Sequence, residues 1–313
     1  MSFSPVFCVN CEEACPVSFA DIAFRSTVTC AKCGRKFSIN ELFRHIYEND
    51  VYVKKSVDTV IRYATRKWNF TVDKPKLPKG LDHDELQNFL NNTARDILVY
   101  GDAFLMTNDP KTGEPRWEML SPEHVRMKGE QFEVDSETLP SALVVHFKRV
   151  EIGWDDSPYG ESMIRIVVPY VHQQWVYRRT PPQLQSATKW WSDYLREEVQ
   201  MGLGGFPDFV LEGRPPKTQP QDAELALVTF LGEVEDLQDT ISEGFNEALK
   251  RFAEHEHVAA AELEFQKLTT KRVLMDCGVD FSEEKGMIKQ LKELGVINQQ
   301  GYEKMLKDYD GDT

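Results

Sequence analysis

An α+β fold with a small four-cysteine ribbon in front of it follows from three features of this 313-residue chain. Two Cys-x2-Cys pairs lie close together near the N-terminus. Helical and strand-like patterns alternate between residues 46 and 157. Later, a proline-free stretch keeps apolar side chains at intervals of three and four. With 41% hydrophobic and 28% charged residues, the composition is that of a globular chain with enough apolar surface for a sizeable core, and the length suits two domains or one domain with appendages.

The ribbon comes first. Cys8-Val-Asn-Cys11 and Cys30-Ala-Lys-Cys33 are separated by 18 residues, a spacing at which two knuckles can face one ion, so Cys8, Cys11, Cys30 and Cys33 are expected to hold a structural Zn2+. Gly34 supplies the backbone freedom the second knuckle needs. Phe24–Thr29 and Lys36–Ile39 read as its strands. Five of the six cysteines precede residue 34, and no basic-then-apolar leader pattern opens the sequence, which favours a metal site over a disulfide framework. Cys15 leaves the ligand set open, since Cys11-x3-Cys15 can also contribute thiolates. Cys277 reads as a small buried apolar residue.

The elements that follow are read from periodicity. Val51–Trp68 places Val53, Val57, Val60, Ile61, Ala64 and Trp68 on one helical face. After a turn at Pro75, Pro78 and Gly80, Asp82 and Asp84 precede a second helix, Glu85–Leu98. Strands are expected at Ala103–Asn108 and Trp117–Leu120, joined as a hairpin through Asp109–Gly113, and then at Val125–Lys128, Gln131–Val134 and Ala142–Phe147. Ser162–Arg179 reads as a helix kinked at Pro169, Ser186–Leu203 as another, and Asp208–Glu212 as a short strand before a stiff linker at Pro215, Pro216 and Pro220. Asp222 to His257 would form one helix of 36 residues, about 54 Å if continuous. A strand at Glu262–Leu268 and helices at Glu283–Leu294 and Gln300–Asp308 complete the chain. The expected domains are residues 1–45, 46–157, 158–221 and 222–313.

Charge narrows the function. The net charge is −14, which argues against coating nucleic acid, because affinity for a polyanion comes mainly from cations that displace counterions. The charge is unevenly placed: residues 1–80 hold 13 basic against 8 acidic side chains, whereas residues 221–264 hold 2 against 12. No apolar run reaches the roughly 18–20 residues of a membrane span, so no membrane is expected. Catalytic signatures are missing. There is no G-x4-G-K-[ST], G-x-S-x-G or H-E-x-x-H motif. His255-Glu256-His257 reads as a solvated helix end, because its imidazoles would diverge by about 200°. Asp155-Asp156 reads as a turn. Trp190-Trp191 is read as one ring in the core and one at a subunit contact, in preference to base stacking.

Several phrases, in their order, resemble tailed-bacteriophage portal (head-to-tail connector) proteins. Asn92-Thr-Ala-Arg-Asp-Ile-Leu-Val-Tyr-Gly-Asp-Ala-Phe-Leu105 resembles the wing-domain helix and strand, and Leu120-Ser-Pro-Glu-His-Val-Arg126 the turn after it. His146-Phe-Lys-Arg149 with Ser157-Pro-Tyr-Gly-Glu-Ser162 resembles the entry to the first stem helix. Gly205-Phe-Pro-Asp-Phe-Val-Leu-Glu212 resembles the clip, and Gly295-Val-Ile-Asn-Gln-Gln-Gly-Tyr-Glu-Lys-Met-Leu306 a common C-terminal helix. The resemblance spans about residues 50–306. The N-terminal ribbon departs from it, and the short chain implies a reduced or absent crown.

The resemblance implies a portal-like fold (α/β wing in residues 46–157, stem and clip in 158–221, long helix and wing/crown region in 222–313) behind the four-cysteine zinc ribbon. It implies a non-enzymatic, homo-oligomeric ring of about twelve subunits at a capsid vertex of the virion, assembled in the host cytoplasm. Its implied partners are the terminase large subunit, the major capsid protein, a head–tail adaptor protein and double-stranded DNA passing through the channel without specific binding. The acidic segment would either repel phosphates in that channel or solvate the outer face of the long helix. The basic residues Lys54, Lys55, Arg62, Arg66 and Lys67 would either meet acidic faces of a neighbour or be solvated. The competing reading is a zinc-ribbon nucleic-acid-binding regulatory protein, with the basic first 80 residues making the contact.

Overall fold

The computed structural model describes residues 5–18, 27–72, 75–79, 81–129, 131–149, 159–179, 185, 189–203, 206–214 and 227–279. Two compact units emerge, Met1–Gly205 with Glu233–Gln266, and Phe206–Gly232 with Lys267–Thr313. Among the described residues no helix is long and apolar enough to cross a membrane.

In the larger unit the ribbon strands β1 (Pro5–Phe7), β2 (Ala14–Ser18), β3 (Thr27–Thr29) and β4 (Lys36–Ser38) form two antiparallel pairs, β1 with β2 and β3 with β4. Residues 24–26 of the expected ribbon strand lie outside the described residues. The chain passes straight from β4 into α1 (Ile39–Asn49), a helix the periodicity analysis did not anticipate. Its start is written in Ser38-Ile-Asn-Glu41, where the Ser38 side chain accepts from the Glu41 N–H at 3.0 Å. Asp50 then caps α2 (Val51–Ala64) through the N–H groups of Tyr52 and Val53. The expected continuation to Trp68 fails. Trp68 instead opens β5 (Trp68–Phe70), paired antiparallel with β12 (Leu263–Phe265), so the tryptophan that fitted the helical face belongs to a two-stranded ladder.

Asp82 caps α3 (His83–Tyr100), and Gly101 ends it in the left-handed conformation at φ 86°. From there β6 (Asp102–Asn108) runs between β11 (Val144–Lys148) and β7 (Pro115–Leu120). The Asp109–Gly113 connection forms as expected, with Asp109 Oδ1 accepting from the N–H groups of Lys111 and Thr112. A second sheet, β8 (Val125–Lys128), β9 (Gln131–Val134) and β10 (Glu137–Pro140), adds a strand the sequence reading lacked. Its turn uses Asp135 and Ser136, both at positive φ, the pattern of a tight hairpin whose twist matches its strands. Phe104, Met106, Leu120, Val125, Phe132 and Leu139 form the core shared by the two sheets. Residues 141–143 are a 3-10 turn where a strand was expected.

Two chain crossings hold this unit together. At the first, Gly101 meets Gly160. A Cβ on Gly160 would lie 1.9 Å from the Gly101 carbonyl oxygen, so only glycine permits the approach. Around it, Asp102, 1% exposed, accepts from the Gly160 N–H at 2.8 Å and from His146 Nε2 at 2.7 Å. Arg149 N–H donates to the Gly101 carbonyl, and Glu161 N–H to that of Arg149. The Arg149 guanidinium also holds the Glu161 carbonyl and, through two bonds of 3.0 and 3.1 Å, the Glu233 carboxylate.

Glu233 begins the larger unit's share of a long helix, α7 in the chain order that follows, spanning Val228–Glu256. Before it come α4 (Val168–Arg178), α5 (Lys189–Gly202) and, in the smaller unit, α6 (Asp208–Glu212). Pro169 does not kink a helix but stands at the start of α4, where a missing N–H costs nothing, after a 3-10 turn at Arg165–Val167. Asp208–Glu212 is helical, not a strand: Pro207 sits extended ahead of it and Gly213 closes it at φ 61°, so the boundary residues overrule the strand-like Phe-Val-Leu run. In the smaller unit Phe206 packs edge-on against Phe230 at 5.3 Å, and α8 (Thr270–Asp276) buries Val273, Leu274 and the adjoining Cys277. The helices expected at 283–294 and 300–308 lie outside the described residues, as do positions 222–226 and 186–188 of the helices expected from Asp222 and from Ser186.

The second crossing is α7 over β11. A Cβ on Gly244 would stand 2.2 Å from the Phe147 ring, and Phe245 packs on both Phe147 and Trp117. Gln238 donates to the Ala64 carbonyl at 3.0 Å, Asn246 pairs with the Leu263 backbone, and Arg251 donates to the carbonyls of Ser141, Ala142 and Val144. The stripe Val234, Leu237, Ile241, Phe245, Ala248, Leu249 and Phe252 is therefore core within the chain itself.

Gly244→Ala is expected to cost about 1–3 kcal/mol through overpacking, read as a lower urea midpoint, with Phe147→Leu in the same chain recovering part of it. Asp96, 5% exposed, is pushed up by burial to about 6 against the opposing pull of Arg95. Its ordinary value of 3.8 holds in the unfolded chain, so the folded state binds the proton more readily and stability falls as pH rises between those values. Asp96→Asn is expected to flatten that decline and to stabilise the protein at pH 7 by on the order of 2–3 kcal/mol, measured by urea titrations from pH 4 to 7.

Candidate metal centre

The ribbon brings together the four cysteines singled out by spacing. The Sγ atoms of Cys8, Cys11, Cys30 and Cys33 all lie within 4.8 Å of one another, with Cys8 to Cys33 and Cys11 to Cys30 each at 3.6 Å. A tetrahedron with metal–sulfur bonds of about 2.3 Å has edges of about 3.8 Å, so the cluster has the size of a tetrathiolate site. The two knuckles repeat one geometry. Cys8 N–H donates to the Glu13 carbonyl and Glu12 N–H to that of Cys8, while Cys30 N–H donates to Arg35 and Gly34 N–H to Cys30. The fifth residue of each turn is left-handed, Gly34 at φ 72° and Glu12 at φ 55°, the second an unusual position for a side chain.

The donor set fits a divalent cation on chemical grounds. The backbone N–H groups of Cys33 and Lys32 bring Cys30 down to about 6, and the Arg35 N–H lowers Cys33. Cys11 is pushed up to about 12: the Glu13 N–H favours its thiolate, but burial and the neighbouring sulfurs of Cys30, Cys33 and Cys8 oppose it more strongly. Four sulfurs this close cannot all ionise alone. A dication removes the conflict by supplying positive charge at the centre. Four thiolates would also close its coordination sphere, leaving it a structural rather than a catalytic role. Cys15 is outside the quartet but lies against it: it is buried, its thiol points toward the Glu13 carbonyl at 3.9 Å, and burial together with the nearby sulfurs of Cys30, Cys8 and Cys33 pushes it up to about 11.

The ribbon is clamped to the helices behind it. Phe7 stacks on His172 at 4.8 Å and meets Trp175 edge-on at 5.4 Å, while His172 Nε2 donates to the Glu12 carbonyl at 2.9 Å. Arg179 forms an ion pair with Glu12. Trp175 also touches His45 of α1 and donates to the buried Asp50 at 3.3 Å. Burial holds His172 below its ordinary value, consistent with a neutral ring inside this contact. The sequence reading passed over His172 and Trp175. Their spacing of three on a helix was visible, but their partners lie some 125 to 168 positions away in the chain.

The other positions weighed from sequence fall elsewhere. His255 and Glu256 end α7, Glu256 pairs with Lys76 at 2.6 Å, and His257 leaves the helix at φ 54°, so no ion is shared there. Trp190 and Trp191 are 67% and 37% exposed, so neither ring lies in the core as expected; Trp191 stacks on Tyr194. Asp155 and Asp156 lie outside the described residues.

No protein-family model matches the chain, and no curated protein sequence does. Its architecture does have counterparts. A chain in the virion of a native gene transfer agent particle matches with a TM-score of 0.53 at 10% identity, over 88% of this chain and 94% of that one. A chain in the neck of the empty particle, computed with C6 symmetry, matches with a TM-score of 0.51 at 11% identity, over 85% and 95%. The corresponding match to the neck of the native particle, computed with C12 symmetry, has a TM-score of 0.50 at 10% identity. The chain thus shares the α+β fold of these virion and neck components, with a four-cysteine ribbon at its N-terminus.

The purified full chain is expected to hold one equivalent of metal by mass spectrometry under native conditions. Serine at Cys8, Cys11, Cys30 or Cys33 should lower the retained metal at least about tenfold, whereas Cys15→Ser should leave it unchanged.

Proposed function

We propose that this chain is a portal protein: a homo-oligomeric ring of about twelve subunits at a capsid vertex, through which double-stranded DNA enters and leaves. The observation that carries this reading is the fold, matched over 85 to 88% of this chain and nearly all of the counterpart chains in virion and neck particles. Within the reading, the ring stands in the virion after assembly in the host cytoplasm. It docks the terminase large subunit during packaging, sits against the major capsid protein and receives a head–tail adaptor afterwards. Its role is structural and not enzymatic. The metal is Zn2+, held by Cys8, Cys11, Cys30 and Cys33, and its work is to fix the two knuckles against α4.

The physical demands on such a ring suit the residues. Duplex DNA carries one charge per about 1.7 Å of axis, so a channel that lets it slide must avoid a dense cationic lining. A net charge of −14 per subunit, repeated around a ring, meets that demand. The competing regulator reading needs the ribbon to present itself to nucleic acid, and the ribbon here spends Phe7 and the Glu12 backbone on contacts to His172 and Trp175.

Negative-stain images of the full chain, paired with light scattering, are expected to show closed rings. A particle at the monomer mass of 36.1 kDa at every concentration would overturn the portal reading. Tight, salt-sensitive duplex binding by that monomer would support the regulator instead.

A further inference from the structure

We infer that the cleft between α2 and α3 is the seat for the acidic outer face of α7 from a second copy of this chain, the contact resting on the ring reading above. The cleft has an open volume of about 500 Å3 and is edged by Arg62, Arg66 and Arg95. A neighbouring hollow of about 450 Å3 shares Arg66 and Gln87 with it and adds Lys67. Four cations therefore edge the two adjoining hollows. Its floor is set by a closed hydrogen-bond relay: Trp68 Nε1 donates to Gln87 Oε1 at 2.8 Å, Gln87 Nε2 to the Thr65 carbonyl and to Asn91 Oδ1, and Thr65 Oγ1 to Asn91 Oδ1. With the amides engaged among themselves, the recognising groups are the guanidiniums at the rim. These are planar forks that fit carboxylates in pairs. The acid in the cleft, Asp58, is already held by Tyr47 at 2.6 Å and Lys54 at 3.7 Å, and Arg95 leans on Asp96. Arg62 is exposed and has no ion-pair partner among the described residues.

The chain carries the matching anion. On α7, Glu235, Asp239, Glu243 and Glu247 follow one another at intervals of four and are exposed. Like charges at that spacing repel along the helix, and Asp239 and Glu243 have no ion-pair partner among the described residues to offset it. Gln238 marks the inner side of α7, since it donates to the Ala64 carbonyl of α2. At about 100° per residue, Asp239, Glu243 and Glu247 stand about 100°, 140° and 180° away from it. These three thus turn away from their own α2; Glu247 is engaged by Arg251 of the same helix, so Asp239 and Glu243 are the carboxylates that cations reach from another molecule. A contact that joins one patch to a different patch is head-to-tail, and repeated with rotation it closes a ring. Charge complementarity selects a copy of this chain over DNA as occupant of the cleft, because a surface with a net −14 disfavours the approach of a duplex.

The test uses the full-length chain in three forms: Arg62→Glu with Arg66→Glu, Asp239→Arg with Glu243→Arg, and all four together. Each reversed pair is expected to raise the concentration needed for half-assembly at least about tenfold in sedimentation velocity, and the combined chain to restore assembly. Restoration also excludes misfolding as the cause, since a misfolded single set would not be repaired by the other. Rings that persist in both reversed pairs, or a combined chain that stays dissociated, overturn the contact while leaving the ring reading intact. A wild-type chain that never assembles overturns both. Normal assembly of Arg62→Glu with Arg66→Glu, accompanied by loss of binding to a labelled duplex that the wild type retains, would assign the cleft to phosphates and overturn the inference.

Discussion

Two backbones pass so closely at Gly101 and Gly160 that neither position can carry a Cβ, and the larger unit is organised around that crossing. Asp102 sits buried beside it, its Oδ1 accepting from both the Gly160 N–H and His146. An unpaired buried carboxylate would cost several kcal/mol, so the strand, the turn and the imidazole form together or not at all. Arg149 extends the same junction to Glu233, and through it the sheet fixes where the long helix begins to pack. Gly244 then sets how close that helix comes to β11. The sheet, the turn at residues 159–162 and the long helix are thus placed by a few contacts between small residues and paired buried charges.

The ribbon is part of this arrangement. It runs without a linker into α1, and Trp175 joins Phe7 of the ribbon, His45 of α1 and the Asp50 cap of α2 at one point. A metal bound by the four cysteines would therefore stiffen a contact reaching into the helical layer as well as two local turns. The acidic and basic surfaces are likewise carried by elements packed firmly into the core, which suits them for contacts between rigid bodies.

Much of this was legible from local patterns. The hairpin at Asp109–Gly113, the caps at Asp82 and Gly101, the long amphipathic helix and the four cysteines each announce themselves within a short window, because turn chemistry, periodicity and ligand spacing are local properties. The misreadings share a cause. Trp68 fitted a helical face but pairs with Phe265, almost two hundred residues away, and Asp208–Glu212 looked like a strand until its flanking Pro207 and Gly213 were weighed. Pro169 lies inside the periodic run 162–179 but opens the helix rather than kinking it, because periodicity alone does not mark where a helix starts.

From the sequence by itself came most of the element types, the cysteine quartet and the separation of charge into a basic N-terminal and an acidic late segment, all of which depend on residues near one another in the chain. The tertiary structure alone decided that the phrases at residues 100–102 and 159–162 meet face to face, that the apolar stripe of the long helix is core within the chain while Asp239 and Glu243 are exposed, and that the ribbon docks on His172 and Trp175. These are close approaches between distant segments. They are set by steric fit and by the need to satisfy buried polar groups, and no window along the chain contains both partners.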